Sequence, residues 1–471
     1  MPEQEQIYPT ATRELSEQRH RLAPKADEAF KAFSQSVTTT APSASDNRNF
    51  ERKRWRYLIL GLVSTLLVAN LQYGWALFVL PLHQAHGWVI AQIQVAFTMF
   101  IALETWGTPL GGWIADKLGP DRGPRITIGA GGVLVALGWI SMSSANSLHL
   151  MYMGGAITGL GAGFIYTTSV GVAVKWFTGH RGLAAGLVAA GFGAGAVITI
   201  IPMRMMITAR GYEATFFWFG LIEGGAVLIA AQFIRGPRPG EVPAVGNAKV
   251  EQSSYSYKPS EVLRQPVFWV LYLLDLLMCA GGLTVTANLA TIAQSFDVAD
   301  VMIWGTTALS MGLIFANLMN GAGRPFFGWL GDRIGNIKGM VIAFALGTVS
   351  YFLLSVTGKH PLGYVFFAGM IFLSWGNVYG LFPSMCTDMF GSKYATENLA
   401  ILYTAKGTAG FLVPLGSLLV AATGNWDLVL YLAAGINAVA ILLALAVLRP
   451  VEKRHETDAE RLAGSTLQAT G

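Results

Sequence analysis

Two basic residues, Arg324 and Lys406, stand alone inside long apolar stretches of the sequence. Arg324 lies in AGRPFFGW and Lys406 in YTAKGTAGF, and neither has an acidic residue three or four positions away. A charge at the centre of a membrane helix costs roughly 2.5–3.5 kcal/mol on insertion scales, so it persists where it has a partner or a function. The pattern predicts that an anion from elsewhere, either a distant side chain or a bound ligand, faces these cations.

The chemistry of the two side chains suits a carboxylate. A guanidinium offers a planar pair of donors that matches a carboxylate bidentately, and an ammonium adds a compact second charge. One cation suits a monocarboxylate, whereas two cations facing one cavity suit a small dicarboxylate, or a monoanion with surplus positive charge. The competing interpretation is that Arg324 and Lys406 brace the structure by pairing with Asp275 or Glu104, which lie in other apolar stretches.

The composition is typical of a helical membrane protein. Of the 471 residues, 53% are hydrophobic and 13% are charged, against about 25% charged in a typical soluble protein. The charges cluster at the ends of apolar stretches long enough to cross a bilayer, so lipid is the expected environment. The pI near 9.1 reflects basic residues in short loops, which membrane topology explains better than nucleic-acid binding does.

No pattern in the sequence indicates an enzyme. We find no nucleotide-binding loop, no cluster of metal ligands and no nucleophile–base pair, so neither a metal nor another cofactor is expected. The two cysteines, Cys279 and Cys386, lie in apolar segments. They are expected to be small buried residues rather than a disulfide framework.

The sequence predicts an all-α membrane protein with twelve spans, numbered here in chain order. A linker rich in Pro, Gly and Ser divides the spans six and six. The spans are expected to begin near Tyr57, Ala91, Ile126, Leu148, Gly182, Tyr212, Pro266, Val301, Gly339, Leu362, Ala395 and Trp426. The expected domains are a disordered cytoplasmic tail at 1–53, a six-helix half at 54–234, a cytoplasmic linker at 235–265, a second six-helix half at 266–449 and a cytoplasmic tail at 450–471.

Lysine and arginine concentrate in alternate loops between the spans. Such loops face the cytoplasm in most multi-pass proteins. This bias and the even number of spans both predict cytoplasmic termini, in a protein of the plasma or inner membrane.

A loop motif occurs once in each half of the chain. GGWIADKLGP ends span 2 and FGWLGDRIGN ends span 8. Two copies in corresponding positions indicate an internal repeat of the kind common in secondary transporters. Each copy has the form Gly-x-x-x-Asp-Lys/Arg-x-Gly, with Gly112, Asp116 and Lys117 in the first and Gly328, Asp332 and Arg333 in the second.

In this motif the chain resembles the major facilitator superfamily, from about residue 54 to residue 449. The resemblance implies twelve helices in two pseudo-symmetric halves, with the motif on the cytoplasmic side. It also implies that Asp116 with Lys117, and Asp332 with Arg333, are gating residues that help to hold the outward-open state. The alternative is that these residues only fix topology and cap helices.

Three further charged residues fall within spans: Glu104 in span 2, Arg204 in span 5 and Asp275 in span 7. Glu104 and Asp275 either pair with a cation on another helix or carry a proton. Arg204 lies near the outer end of its span, where it either reaches the interface or takes part in function. All three are therefore candidates for proton or ion coupling.

Aromatic and amide side chains accompany the two cations at mid-span. Such residues usually pack the core, but a Tyr hydroxyl or an indole N–H at that depth also needs a hydrogen-bond partner. A cage that bounds a small anion and supplies donors is therefore expected. Its members are Gln72, Tyr73 and Trp75 in span 1, Tyr166 in span 4, Trp375 and Tyr379 in span 10, and Tyr403 in span 11.

Several segments together resemble the oxalate–formate antiporter branch of the superfamily, a relative of the monocarboxylate transporters. They are ANLQYGWALF, KWFTGHRGLAAG, NGAGRPFFGWLGDRIG, SWGNVYGLFPS and YTAKGTAG. In that branch an Arg of helix 8 and a Lys of helix 11 bind the carboxylates of oxalate, which implies this role for Arg324 and Lys406. The branch's binding aromatics and its first-helix amide match the cage residues, except that Tyr403 stands where the family can have a Trp.

The expected function is alternating-access transport of small carboxylate anions such as oxalate or formate by a monomeric protein, in the form of anion exchange. Glu104, Arg204 and Asp275 add charges that are not expected at these positions in an oxalate exchanger. They leave open a proton-coupled monocarboxylate symporter that uses Asp275 or Glu104. A membrane sensor that binds the anion without moving it is the third alternative.

Overall fold

Helices form nearly all of the structure, a computed structural model that describes residues 44–177, 181–242, 255–391, 394–455 and 457. They form the twelve predicted spans. By length and composition, nine of the described helices can cross a membrane. The other three spans are span 2, which is split at Gly107; span 5, which is split by a 3-10 turn; and span 8, which buries Asn317, Asn320 and Arg324.

The first half contains spans 1 to 6. Gly211, with φ 86° and ψ 167°, separates spans 5 and 6 inside one assigned helix. The helices are Ala44–Val68, Asn70–Gly74 and Ala76–His86 in span 1; Ile90–Trp106 and Thr108–Lys117 in span 2; Gly119–Ser143 in span 3; Leu148–Trp176 in span 4; and Arg181–Gly193, the 3-10 turn Gly195–Ile198 and Ile200–Ala231 in spans 5 and 6.

The second half contains spans 7 to 12, preceded by the short helix Pro259–Val262. Between spans 7 and 8 lies a two-stranded antiparallel hairpin, Met302–Ile303 with Thr306–Thr307. The helices are Pro266–Ser295 in span 7; Ala308–Ile334 in span 8; Asn336–Thr357 in span 9; Pro361–Trp375, the 3-10 turn Gly376–Tyr379 and Leu381–Phe390 in span 10; Ala395–Gly410 and Val413–Thr423 in span 11; and Asp427–Leu443 with the π-helical turn Ala444–Leu448 in span 12.

Several helices are interrupted at mid-span, and these interruptions carry predicted cage residues. Helix Asn70–Gly74 stands between two interruptions of span 1 and contains Gln72 and Tyr73. The 3-10 turn Gly376–Tyr379 interrupts span 10 directly after Trp375. Irregular backbone at membrane depth is tolerated where it is buried in protein or lines a cavity, and broken helices commonly form binding sites.

Span 4 packs directly on the backbone of span 2 through glycines spaced one turn apart. A Cβ added at Gly159 would lie 2.2 Å from the carbonyl oxygen of Phe100, and one at Gly163 would lie 2.3 Å from that of Glu104. Only residues without a side chain permit such an approach between helices. The contact fixes the position of the Glu104 backbone.

Three boundaries differ from the predicted ones. Span 8 begins at Ala308 rather than near Val301, because the hairpin occupies residues 302–307, with Trp304 (φ 47°) and Gly305 (φ 85°) at its tip. The helix that contains span 1 begins at Ala44, inside the segment 1–53 for which a disordered tail is predicted, and residues 1–43 lie outside the described residues. The last helix continues past residue 449 to His455.

The linker between the halves begins with an ordered turn. Arg235 donates from both terminal nitrogens to the two carboxylate oxygens of Glu241, each at 2.7 Å. This carboxylate raises the pKa of the Arg235 guanidinium above its ordinary value. The guanidinium also lies over the rings of Tyr57 and Trp176, so the turn is tied to the ends of spans 1 and 4. Residues 243–254 of the linker lie outside the described residues.

Candidate functional site

Arg324 is buried where spans 1, 5, 8 and 10 meet. Its Nη2 donates to the Tyr73 hydroxyl at 3.1 Å and to Asn320 Oδ1 at 3.0 Å, and its Nη1 donates to the carbonyl oxygen of Ala189. The guanidinium carbon lies 3.7 Å from the ring centre of Tyr379. Within the described ranges no carboxylate forms an ion pair with this guanidinium, so its charge is balanced only by neutral dipoles and rings.

Lys406 has a different environment, because an acid from the other half of the chain faces it. Its Nζ lies 2.6 Å from Glu104 Oε2, and both side chains have zero exposure. The ammonium also donates to Gln72 Oε1 at 3.0 Å and to the Tyr403 hydroxyl at 3.2 Å. Tyr403 in turn donates to Glu104 Oε1 at 3.0 Å. The predicted bracing by Glu104 is therefore present at Lys406, whereas none of the described acids braces Arg324 in this way.

Aromatic rings surround the two cations. Lys406 Nζ lies 5.3 Å from the ring centre of Tyr403 and 5.5 Å from that of Phe192. Tyr166 stacks on Tyr403, with ring centres 5.9 Å apart and planes 20° apart. Tyr379 meets Tyr403 edge-on at 6.2 Å. Phe192 is an addition to the predicted cage, since nothing in its sequence context distinguishes it from a packing residue.

The two predicted cage tryptophans lie in different places. Trp375 joins the cage, with its ring centre 6.2 Å from those of Tyr73 and Tyr379. Trp75 instead donates its indole N–H to Gln94 Oε1 at 2.9 Å, and the Gln94 amide continues this network to span 7. Trp75 therefore joins spans 1, 2 and 7 in a network of its own.

Four buried polar atoms of the two cations and the surrounding cage make no hydrogen bond within the described structure: Gln72 Nε2, Arg324 Nε, Trp375 Nε1 and the Tyr379 hydroxyl oxygen. Buried polar groups are normally satisfied, since an unsatisfied one costs about 1–3 kcal/mol. Three N–H donors and a hydroxyl beside two cations complement the oxygens of a carboxylate. The arrangement is therefore suited to binding a small organic anion.

The remaining charged candidates lie outside the cluster. Asp275 is buried and accepts a hydrogen bond from Cys279 Sγ, one turn along its own helix, at 3.2 Å. Arg204 pairs with Asp300 at 2.8 Å and donates to the Thr307 hydroxyl. Arg204 thus ties the end of span 5 to the hairpin before span 8.

One buried acid, Glu223 in span 6, is missing from the predicted set. Its Oε1 accepts from Asn70 Nδ2 at 2.6 Å, and its Oε2 has no partner within the described structure. Asn70 accepts in turn from the Thr199 hydroxyl at 2.5 Å. A lone acid in the apolar segment LIEGGAV is the same signal that singles out Glu104, so the sequence could have revealed it.

The repeated loop motif has a similar arrangement in both halves. Lys117 and Arg333 each lie 4.6 Å over the ring of the tryptophan one turn earlier. Asp116 pairs with Lys175 at the end of span 4, at 2.5 Å. Gly112 faces span 4 and Gly328 faces span 10, and Asp332 holds the position in the second copy that Asp116 holds in the first.

Replacing Gly193 with alanine is expected to weaken anion binding by roughly 10- to 100-fold, because small displacements of a positioning group have effects of this size. The added Cβ would lie 2.8 Å from both Arg324 Nε and Asn320 Oδ1, so the guanidinium must move. The matched control is Gly186→Ala in the same helix, where nothing lies within 4 Å of the added Cβ. Titration of both variants with formate, with the thermal shift as the readout of binding, checks this expectation. Equal affinities in the two variants would contradict it.

Comparison with protein families matches residues 60–414 and 303–469 to the model described as Major Facilitator Superfamily. Together with the apolar helices, this match identifies a multi-pass membrane protein.

Individual relatives match most of the chain. An oxalate:formate antiporter of Oxalobacter formigenes is 31% identical over 428 residues, which are 90% of this chain and 99% of the relative. Monocarboxylate transporter 12-B of Danio rerio is 23% identical, over 74% of this chain and 77% of the relative. A probable sulfoacetate transporter of Cupriavidus necator is 22% identical, over 84% of this chain and 95% of the relative.

Proposed function

Because this chain belongs to the Major Facilitator Superfamily, we propose that it is a secondary active transporter that moves small carboxylate anions by alternating access. The observation that carries the proposal is the buried pair of cations, Arg324 and Lys406, which donate hydrogen bonds to Tyr73 and Gln72 in the other half of the chain. The 31% identity to an oxalate:formate antiporter supports the same substrate class.

The contacts of the two cations suggest how an anion could link the halves. Arg324 and Lys406 belong to the second half, while Tyr73, Gln72 and Glu104 belong to the first. A carboxylate that binds the guanidinium and accepts from Gln72 Nε2 would replace direct contacts between the halves with contacts through the substrate. The halves would then close around the bound anion and separate when it leaves.

Exchange of one anion for another follows from the charge on Arg324. An unpaired guanidinium in a low-dielectric site favours occlusion with an anion bound over occlusion of the empty site. The carrier would therefore cross between its two orientations mainly when loaded. Because Lys406 pairs with Glu104, one uncompensated cation rather than two disfavours occlusion of the empty site.

A second candidate function, proton-coupled monocarboxylate symport, is favoured by the same pairing. A substrate carboxylate that displaces Glu104 from Lys406 would leave a buried acid that gains by accepting a proton. Asp275 is the other candidate carrier of a proton. Uptake of labelled formate into empty vesicles, driven by a pH step, would support symport, whereas exchange requires an anion inside.

The other residues take supporting roles in this proposal. The repeated motif, with Gly112, Asp116 and Lys117 in one half and Gly328, Asp332 and Arg333 in the other, would act as a gate at the cytoplasmic ends of the helices. The ion pair between Arg204 and Asp300 would act as a gate at the opposite ends of the helices. Both termini would lie in the cytoplasm, and the protein would function as a monomer in the plasma or inner membrane.

A thermal-shift panel on the purified protein tests the proposal. Ligands that bind the folded state stabilise it, and the stabilisation rises with the logarithm of the ratio of ligand concentration to dissociation constant. The panel should contain small mono- and dicarboxylates and sulfoacetate. We expect stabilisation by small carboxylates that is lost in Arg324→Gln. No stabilisation by any of these anions would contradict the substrate class.

A further inference from the structure

Among the described residues, one carboxylate lies in the buried cluster, that of Glu104, and its position gives this residue a specific role. Glu104 Oε2 lies 2.6 Å from Lys406 Nζ, and both side chains have zero exposure. Arg324 has no carboxylate partner within the part of the chain that the structure describes. The two cations and this carboxylate leave a single net positive charge in a site where like charges repel strongly.

We propose that Glu104 is a fixed counter-ion that sets the charge of the transported anion, so that the site prefers monoanions over dianions of the same size. The inference rests on the proposed function and narrows it to monocarboxylates. A monoanion brings the loaded site to neutrality. A dianion would leave one uncompensated negative charge next to Glu104, and charge complementarity of this kind is what discriminates between ligands.

The contacts of Glu104 hold it in place while the anion binds elsewhere. Each of its oxygens has a partner: Oε2 accepts from Lys406 and Oε1 accepts from Tyr403 at 3.0 Å. Its backbone is held by the glycine contact at Gly163. Arg324 Nε, by contrast, has no protein partner within the described structure, so the anion is expected at Arg324 and Glu104 is expected to stay with Lys406.

Asp275 is another buried acid near the cluster, and it interacts with the charge of Lys406 without contacting it. It accepts a hydrogen bond from Cys279 on its own helix and makes no ion pair with either cation in the described structure. Glu223 is a further buried acid, held by Asn70 on span 1. These two residues provide the comparisons that a test of Glu104 needs.

Oxamate and oxalate are a size-matched pair for this test, because they differ mainly in the replacement of one carboxylate by a neutral amide. At mildly alkaline pH the first is a monoanion and the second a dianion. Titration of the purified full-length protein with each gives a ratio of affinities. The wild-type protein is expected to bind oxamate more tightly. Glu104→Gln is expected to shift the ratio toward oxalate by ~10-fold or more.

Further variants separate charge from other effects. Combining Glu104→Gln with Lys406→Gln restores a single positive charge, so the ratio is expected to return toward the wild-type value. Glu223→Gln removes a buried carboxylate away from the cations and is expected to leave the ratio unchanged.

Two results would overturn the proposal: tighter wild-type binding of oxalate than of oxamate, or a ratio that responds to Asp275→Asn but not to Glu104→Gln. The first needs no variant, so the test does not depend on the folding of Glu104→Gln. If the wild-type protein binds neither anion nor any other small carboxylate, the proposed function itself is wrong, and that result differs from both of these.

Discussion

Replacing Arg324 with lysine is expected to reduce carboxylate transport by about 100-fold or more while leaving the protein folded. The guanidinium donates at once to Tyr73, Asn320 and the backbone of Ala189, and it lies 3.7 Å over the ring of Tyr379. An ammonium keeps the charge but cannot reproduce this planar geometry or bind a carboxylate bidentately. Loss of a buried charged contact of this kind commonly costs about 2–5 kcal/mol.

The measurement is uptake into proteoliposomes at equal protein density, with folding checked by size-exclusion chromatography. Arg238→Lys is the matched control, because Arg238 forms an exposed pair with Asp121 at 3.2 Å. Transport by Arg324→Lys within a few-fold of the Arg238→Lys control would show that the guanidinium geometry is dispensable.

The second large effect concerns stability. Lys406→Gln leaves the Glu104 carboxylate buried without its cation, and breaking a buried ion pair in this way typically costs about 3–5 kcal/mol. Adding Glu104→Gln removes the uncompensated charge, so the double variant is expected to recover most of the lost stability. Thermal denaturation in detergent, without ligand, compares the three proteins.

An exposed ion pair provides the reference for this effect. Lys175 and Asp116 lie 2.5 Å apart, with side chains 55% and 68% exposed, so Lys175→Gln is expected to cost no more than about 1 kcal/mol. A double variant as unstable as Lys406→Gln alone would mean that the buried pair is not what stabilises this region.

The architecture was accessible from the sequence because lipid imposes strong constraints on it. Stretches of apolar residues, basic loops and a motif repeated at the ends of spans 2 and 8 were sufficient to predict twelve helices. The start of span 8 could not be predicted in this way. The segment from Val301 to Thr307 is apolar enough to continue a helix, but it forms a hairpin with positive φ at Trp304 and Gly305. Such a turn depends on a few backbone angles, and hydropathy carries no information about them.

The candidate site was predictable in its charges and only partly in its contacts. Lone cations in apolar segments singled out Arg324 and Lys406, and lone acids singled out Glu104 and Asp275. That Glu104 rather than Asp275 faces Lys406 depends on the packing of span 2 against span 11, which side-chain spacing within one helix cannot predict. The same holds for Trp75, whose position in span 1 suggested the cage but whose indole donates to Gln94.

Counterflow in proteoliposomes tests the central claim most directly. Vesicles containing the wild-type protein and loaded with unlabelled formate or oxalate should accumulate the labelled anion transiently from outside, and vesicles containing Arg324→Lys should not. Absence of counterflow with the wild-type protein for any small carboxylate, or equal counterflow with Arg324→Lys, would contradict the account.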